Sequence, residues 1–137
     1  MTIDLRDTAL PARAVCEALG LSPHPEGGHY RELWRDSPAS GRGAGTSILF
    51  LLAAGERSHW HRVDAAEVWL WQAGSPLEQA VHAAQRQTVR LGPAMLSGEL
   101  LQAVVPVMAW QAARSLCWII DSESWRDPAL ARRAAVT

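Results

Sequence analysis

The chain is 137 residues long, enough for one core and short for two, and carries a formal net charge of −1. Its acidic and basic residues are mixed along the sequence, which excludes a basic stripe for nucleic acid and a polybasic patch for a membrane surface. All thirteen positive side chains are arginines, so no lysine amine is present to form a Schiff base.

The first predicted element is a helix over residues 8–19, where Leu10, Ala14, Val15, Ala18 and Leu19 recur at helical spacing. Asp7 or Thr8 can cap it, Pro11 fits its first turn, and Gly20 ends it. After Gly20, short β-branched and aromatic runs alternate with turn signals. They predict strands at about 28–35, 46–53, 57–62, 66–73, 77–83, 86–91, 100–105, 108–114 and 116–121. With no helices between the strands, the fold class is all-β, a sandwich or barrel, in a single domain over 1–137. Residues 126–137, rich in Ala and Arg, read as a short helix or a frayed tail. Cys16 and Cys117 form no metal or redox motif and read as small buried apolar residues. The sequence has neither a signal-peptide pattern nor an apolar run of membrane-spanning length, so a cytoplasmic protein is expected.

The segment from Gly55 to Gly74 concentrates the chemistry. On a strand, residues two apart share a face, so His59 and His61 should converge. By the same rule Glu67, Trp69 and Trp71 share one face of the next strand. If those strands are neighbours, two imidazoles, a carboxylate and two indoles meet in one pocket. A carboxyl taken out of water between indoles favours its neutral form, which suits general acid–base work. The alternative is a structural one: Glu67 paired with Arg62, Arg31 or Arg114, and His59 in solvent at a strand entrance. Of the seven tryptophans most belong to the core, while Trp60, Trp69 and Trp71 lie close enough to the polar trio to line a cavity. In the run from His24 to Glu32, His29 and Arg31 alternate with Tyr30 and Glu32, so one pair can face that cavity.

Several stretches, in order, carry a resemblance: Pro23 to Gly28 with Tyr30 to Glu32, Thr46 to Leu52, His61-Arg62, and Glu67 to Trp69. Ala73-Gly74, Pro76-Leu77, Leu91 to Pro93, and Val105-Pro106 with Trp110 to Arg114 complete the set. Together they resemble the cupin-5 family of small RmlC-like jelly-roll proteins over residues 17–116. The resemblance implies a cupin-type double-stranded β-helix with a short N-terminal helix, an internal pocket for a small-molecule substrate, and a homodimer. Its nearest analogy in reaction is sugar epimerisation, and fold analogy does not assign function. The spacing of Gly55, His59, His61, Glu67 and Gly74 approximates the first cupin motif, whose two His and Glu bind a divalent metal. The second motif should supply a His after a Pro-x-Gly turn, but Met108 replaces the glycine and Gln111 the histidine. Relatives also carry a small residue at His59, a Tyr at His29, a His at Leu70 and an aromatic or His at Gln72. The segment from about 122 to 137 diverges from the family.

The leading expectation is therefore an enzyme moving protons on an apolar or aromatic metabolite, as an isomerase, epimerase or cyclase with no cofactor and no bound metal. Glu67 and His61 are its catalytic pair and His59 an auxiliary polar group. Trp60, Trp69, Trp71, Trp110, Gln111, His29 and Arg31 are the substrate-binding candidates. A non-catalytic small-ligand-binding cupin is the second reading. A metal-dependent cupin using His59, His61 and Glu67 is the third.

Overall fold

The computed structural model describes residues 3–7 and 9–115, and the backbone alone over 119–126. Two antiparallel sheets carry the architecture, with one helix packed on the outside of the larger. Helix α1 (Ala12–Leu19) is shorter than its apolar pattern. Pro11 occupies the N-cap rather than the first turn, and Gly20 closes the helix in the left-handed conformation. Asp7 accepts a hydrogen bond from the Ala9 amide just ahead of it.

The strands are β1 (Ser22–Pro23), β2 (His29–Arg35), β3 (Gly45–Leu52), β4 (Arg57–His61) and β5 (Ala66–Gly74). They continue as β6 (Leu77–His82), β7 (Arg86–Leu91), β8 (Gln102–Val105), β9 (Trp110–Ser115) and β10 (Ile119–Arg126). One sheet runs β1-β2-β3-β10-β5-β8 and the other β4-β9-β6-β7. Most edges fall within a residue or two of the sequence pattern; the short β1 is an addition to it. The last strand departs more. It is displaced from 116–121 to Ile119–Arg126, and its backbone inserts between β3 and β5, where it pairs with both. Asp121 to Ser124 carry no apolar alternation, so the period that marks a strand is missing there. Cys117, Trp118, the Trp125 side chain and the expected tail lie outside the described residues.

The core lies between the sheets. Ile48, Phe50, Leu52, Trp69 and Val105 from the larger sheet meet Leu77, Leu91, Ala109 and Ala113 from the smaller sheet and its approach. Alternation on β3 puts Leu49 and Leu51 on the opposite face, where they pack with Val15, Leu19 and Ala73 under α1. That assignment fixes β2 as well. His29 pairs with Leu51 and Arg31 with Leu49, so both stand on the helix side, while Tyr30 pairs with Phe50 and faces the core. The turn before β2 needs glycine: Gly27 and Gly28 have φ of 109° and 84°. A Cβ on Gly28 would lie 2.7 Å from the Leu51 carbonyl oxygen, and one on Gly27 would overlap that of Arg57.

Candidate active site

The site is built on β5, β9 and β4. Alternation on β5 sends Glu67 and Trp69 inward, both essentially without solvent exposure. Gln111, on β9 of the facing sheet, is equally buried and bridges them. Its Oε1 accepts from the Trp69 indole Nε1 at 3.1 Å, and its Nε2 donates to Glu67 Oε2 at 3.0 Å. Donor logic fixes the amide: an indole N–H can only donate, so the oxygen must face Trp69 and the nitrogen must face the carboxylate. Trp69 is held in turn by an edge-on contact with Phe50, with ring centroids 5.6 Å apart. Glu67 is thereby oriented by a neutral amide between the two sheets.

His61 is the next residue in this group. It pairs with Gln111 across β4 and β9, on the buried face, and is itself buried. Its Nδ1 lies 2.7 Å from the His59 carbonyl oxygen. A carbonyl only accepts, so Nδ1 carries the proton and, in the neutral ring, Nε2 keeps its lone pair. His61, Gln111 and Glu67 thus form a continuous polar strip across the interior.

His59 does not join it. Between Ser58 and His61 the register with β9 shifts, three residues of β4 advancing against two of β9. This bulge cancels the two-residue period: Ser58 and His61 point inward, and His59 and Trp60 are exposed on the outer face. Trp60 lies beneath the Arg86 guanidinium at 5.5 Å, and His59 shares an outer cleft with Arg57, Arg86 and Arg114. Trp110 is also outward, with Arg62 4.9 Å above its ring. Trp71 packs partly against the core but turns its Nε1 to the Ser75 carbonyl at 3.1 Å, near the N-terminal segment. His29 and Arg31 are on the helix side. Of the expected site residues, the fold brings Glu67, His61, Gln111 and Trp69 together. His59, Trp60, Trp110, His29 and Arg31 are placed on outer faces, and Trp71 at the edge of the core. Of the arginines considered as partners of Glu67, Arg62 lies over the Trp110 ring, Arg114 bonds Glu78, and Arg31 lies beside Gly20.

Two groups were not among the expected site residues. Gln79, on β6, is wholly buried and neither amide atom meets a hydrogen-bond partner among the described residues. It has the parity of Leu77 and Val81, which is the signal that marks it as inward. A cavity of ≈ 300 Å³ opens beside it, walled by Val81, Val89, Ala103 and Pro106. Val81 is the cross-strand partner of Gln111, and Ala103 that of Trp69, so this cavity adjoins the polar strip. The second group is His24 and Glu26, in the loop ahead of β2. Their side chains approach to 3.2 Å, and His24 meets Tyr30 and Phe50 edge-on.

A cupin metal centre needs three or four ligands on one face. His61 Nε2 and Glu67 are suitable donors, but Gln111 Oε1 is already engaged by Trp69 and His59 is on the other side of its sheet. Among the described residues no group of three His, Cys, Asp or Glu is arranged to hold a metal ion. The described residues by themselves do not fit a three-ligand centre. No described helix is long and apolar enough to cross a membrane.

Among solved structures, a Shewanella oneidensis protein is similar at 29% identity and a TM-score of 0.81, covering 88% of this chain and 80% of that one. A hypothetical protein from Leishmania major is similar at 28% identity and 0.79, covering 85% and 81%. An oxalate decarboxylase from B. subtilis shares the fold at 14% identity and 0.62, over 83% of this chain and 29% of that one. No curated protein matches the chain. The family model described as "Cupin superfamily (DUF985)" matches residues 13–124, the whole span from α1 into β10. The chain therefore belongs to the cupin-5 family of the cupin superfamily.

Proposed function

We propose that this cupin is a small-molecule enzyme that moves protons inside its barrel, as an isomerase, epimerase or cyclase does. The observation that carries the reading is Glu67: a fully buried carboxylate held by a neutral amide beside a buried imidazole. A glutamate at such a position contributes little to folding that a leucine would not, because desolvating a carboxylate is costly. Glu67 acts as the general base, taking a proton from the bound substrate. His61, with Nδ1 anchored on the His59 carbonyl, works through Nε2: as an imidazolium it carries there the proton that it delivers or with which it stabilises the developing anion, and the neutral ring left behind is recharged through the same nitrogen. Gln111 is a positioning residue, fixing the carboxylate through Oε2. His59 contributes through its backbone carbonyl, and Trp69 as a wall.

The test begins with a thermal-shift screen of small metabolites on the wild-type protein, followed by turnover assays on those that bind. Glu67→Gln is expected to retain affinity within a few-fold and lose at least about 100-fold in turnover, the usual scale of a general base. Turnover surviving in that variant would remove Glu67 from the chemistry. Ligand binding without turnover by the wild type would favour the non-catalytic reading.

A further inference from the structure

We propose that the cavity beside Gln79 is the recognition subsite for a neutral ligand presenting a cis-amide edge, a lactam or lactam-like ring. The inference rests on the barrel being a ligand pocket, but not on Glu67 performing chemistry there.

The Gln79 amide is wholly buried, and neither its oxygen nor its nitrogen has a hydrogen-bond partner among the described residues. Buried amides are almost always satisfied, because each orphaned atom forfeits a hydrogen bond it had in water. The neighbouring cavity is the place from which a partner can come once the Gln79 side chain turns its amide, which presents no accessible surface, toward it. At ≈ 300 Å³ it is much larger than one water, which occupies about 30 Å³ of liquid. Its lining is Ala, Val, Pro and the three glutamines Gln79, Gln85 and Gln87, with no charged side chain. That lining offers a carboxylate, a phosphate or an ammonium no opposite charge, and the Gln79 amide itself is out of water. A hydrocarbon would leave both amide atoms orphaned.

A cis-amide satisfies both at once. Its N–H donates to Gln79 Oε1 while its C=O accepts from Gln79 Nε2, and its ring carbons rest on Val81, Val89 and Ala103. The same edge then lies against the wall shared with Gln111 and Trp69, the partners of Val81 and Ala103 across their strands. Gln79 would select the substrate's neutral planar head and Glu67 would act on another part of the molecule.

The experiment titrates the full-length wild-type protein with 2-piperidone and with N-methyl-2-piperidone, following the side-chain amide resonances by NMR. The Gln79 signals are identified by their loss in Gln79→Met. The inference predicts that 2-piperidone binds at concentrations up to about 10 mM and shifts the Gln79 signals. N-methylation should weaken binding roughly tenfold, the loss of one buried hydrogen bond. Gln79→Met should bring the two ligands to equal affinity. Equal binding of both lactams by the wild type, or no binding of 2-piperidone, would overturn the inference. So would a structural water as the only occupant, seen as a melting temperature altered by Gln79→Met with no lactam discrimination to lose. The wild-type comparison stands even if that variant does not fold. A failed Glu67→Gln turnover test would leave this result untouched.

Discussion

At the scale of single residues, Gln111 joins the chemistry to the fold. It satisfies a buried indole N–H and supplies a hydrogen bond to a buried carboxylate, each from the opposite sheet. Gln111→Leu keeps the volume and removes both bonds, so it should destabilise the protein by about 2–4 kcal/mol; urea denaturation measures this. Glu67→Gln leaves an oxygen able to accept from Gln111, so its cost should stay within about 1 kcal/mol by the same measurement. The contrast separates positioning from chemistry. Glu67, His61, Trp69 and Gln111 were all legible in the sequence, because strand parity and the family's ordered motifs point to them. Gln79 was not: it belongs to no motif, and only its parity with Leu77 and Val81 betrays an inward amide.

At the scale of elements, two local irregularities decide what the site contains. The β4 bulge turns His59 outward and leaves His61 inside. One extra residue reverses the face of everything before it, and nothing in Arg57 to His61 announces that residue. The second irregularity is the turn before β9. Met108, where the resemblance implies a glycine, has φ of 63°, the single positive value for a non-glycine among the described residues. A left-handed residue with a Cβ costs about 1–2 kcal/mol. Met108→Gly should therefore stabilise the fold by about 1 kcal/mol, after allowance for the greater freedom of glycine in the unfolded chain. The reverse experiment is at the turn before β2. Gly28→Ala meets the Leu51 carbonyl oxygen at 2.7 Å and Gly27→Ala overlaps that of Arg57. Each should cost more than about 2 kcal/mol by thermal or urea unfolding.

At the scale of the whole molecule, the all-β class followed from short alternating runs broken by turn signals, and the jelly roll was implied by the family resemblance alone. The interleaving of β10 between β3 and β5 was less legible, since its polar run lacks a strand period and its place depends on pairing with distant segments. The homodimer implied by the resemblance remains a prediction: light scattering should give twice the 15.0 kDa of one chain. Exposed Leu96, Leu100, Leu101 and Val104 form an apolar stretch for such contacts. Among the described residues, His61, Gln111 and Glu67 form one buried polar strip, with the Gln79 cavity alongside. The most direct test of what that strip does is solvent isotope exchange. A small-metabolite extract is incubated with the protein in deuterated water and followed by mass spectrometry. The account predicts a metabolite that gains deuterium with the wild-type protein and gains none with Glu67→Gln. Exchange that persists in Glu67→Gln, or that never occurs with the wild type, would contradict it.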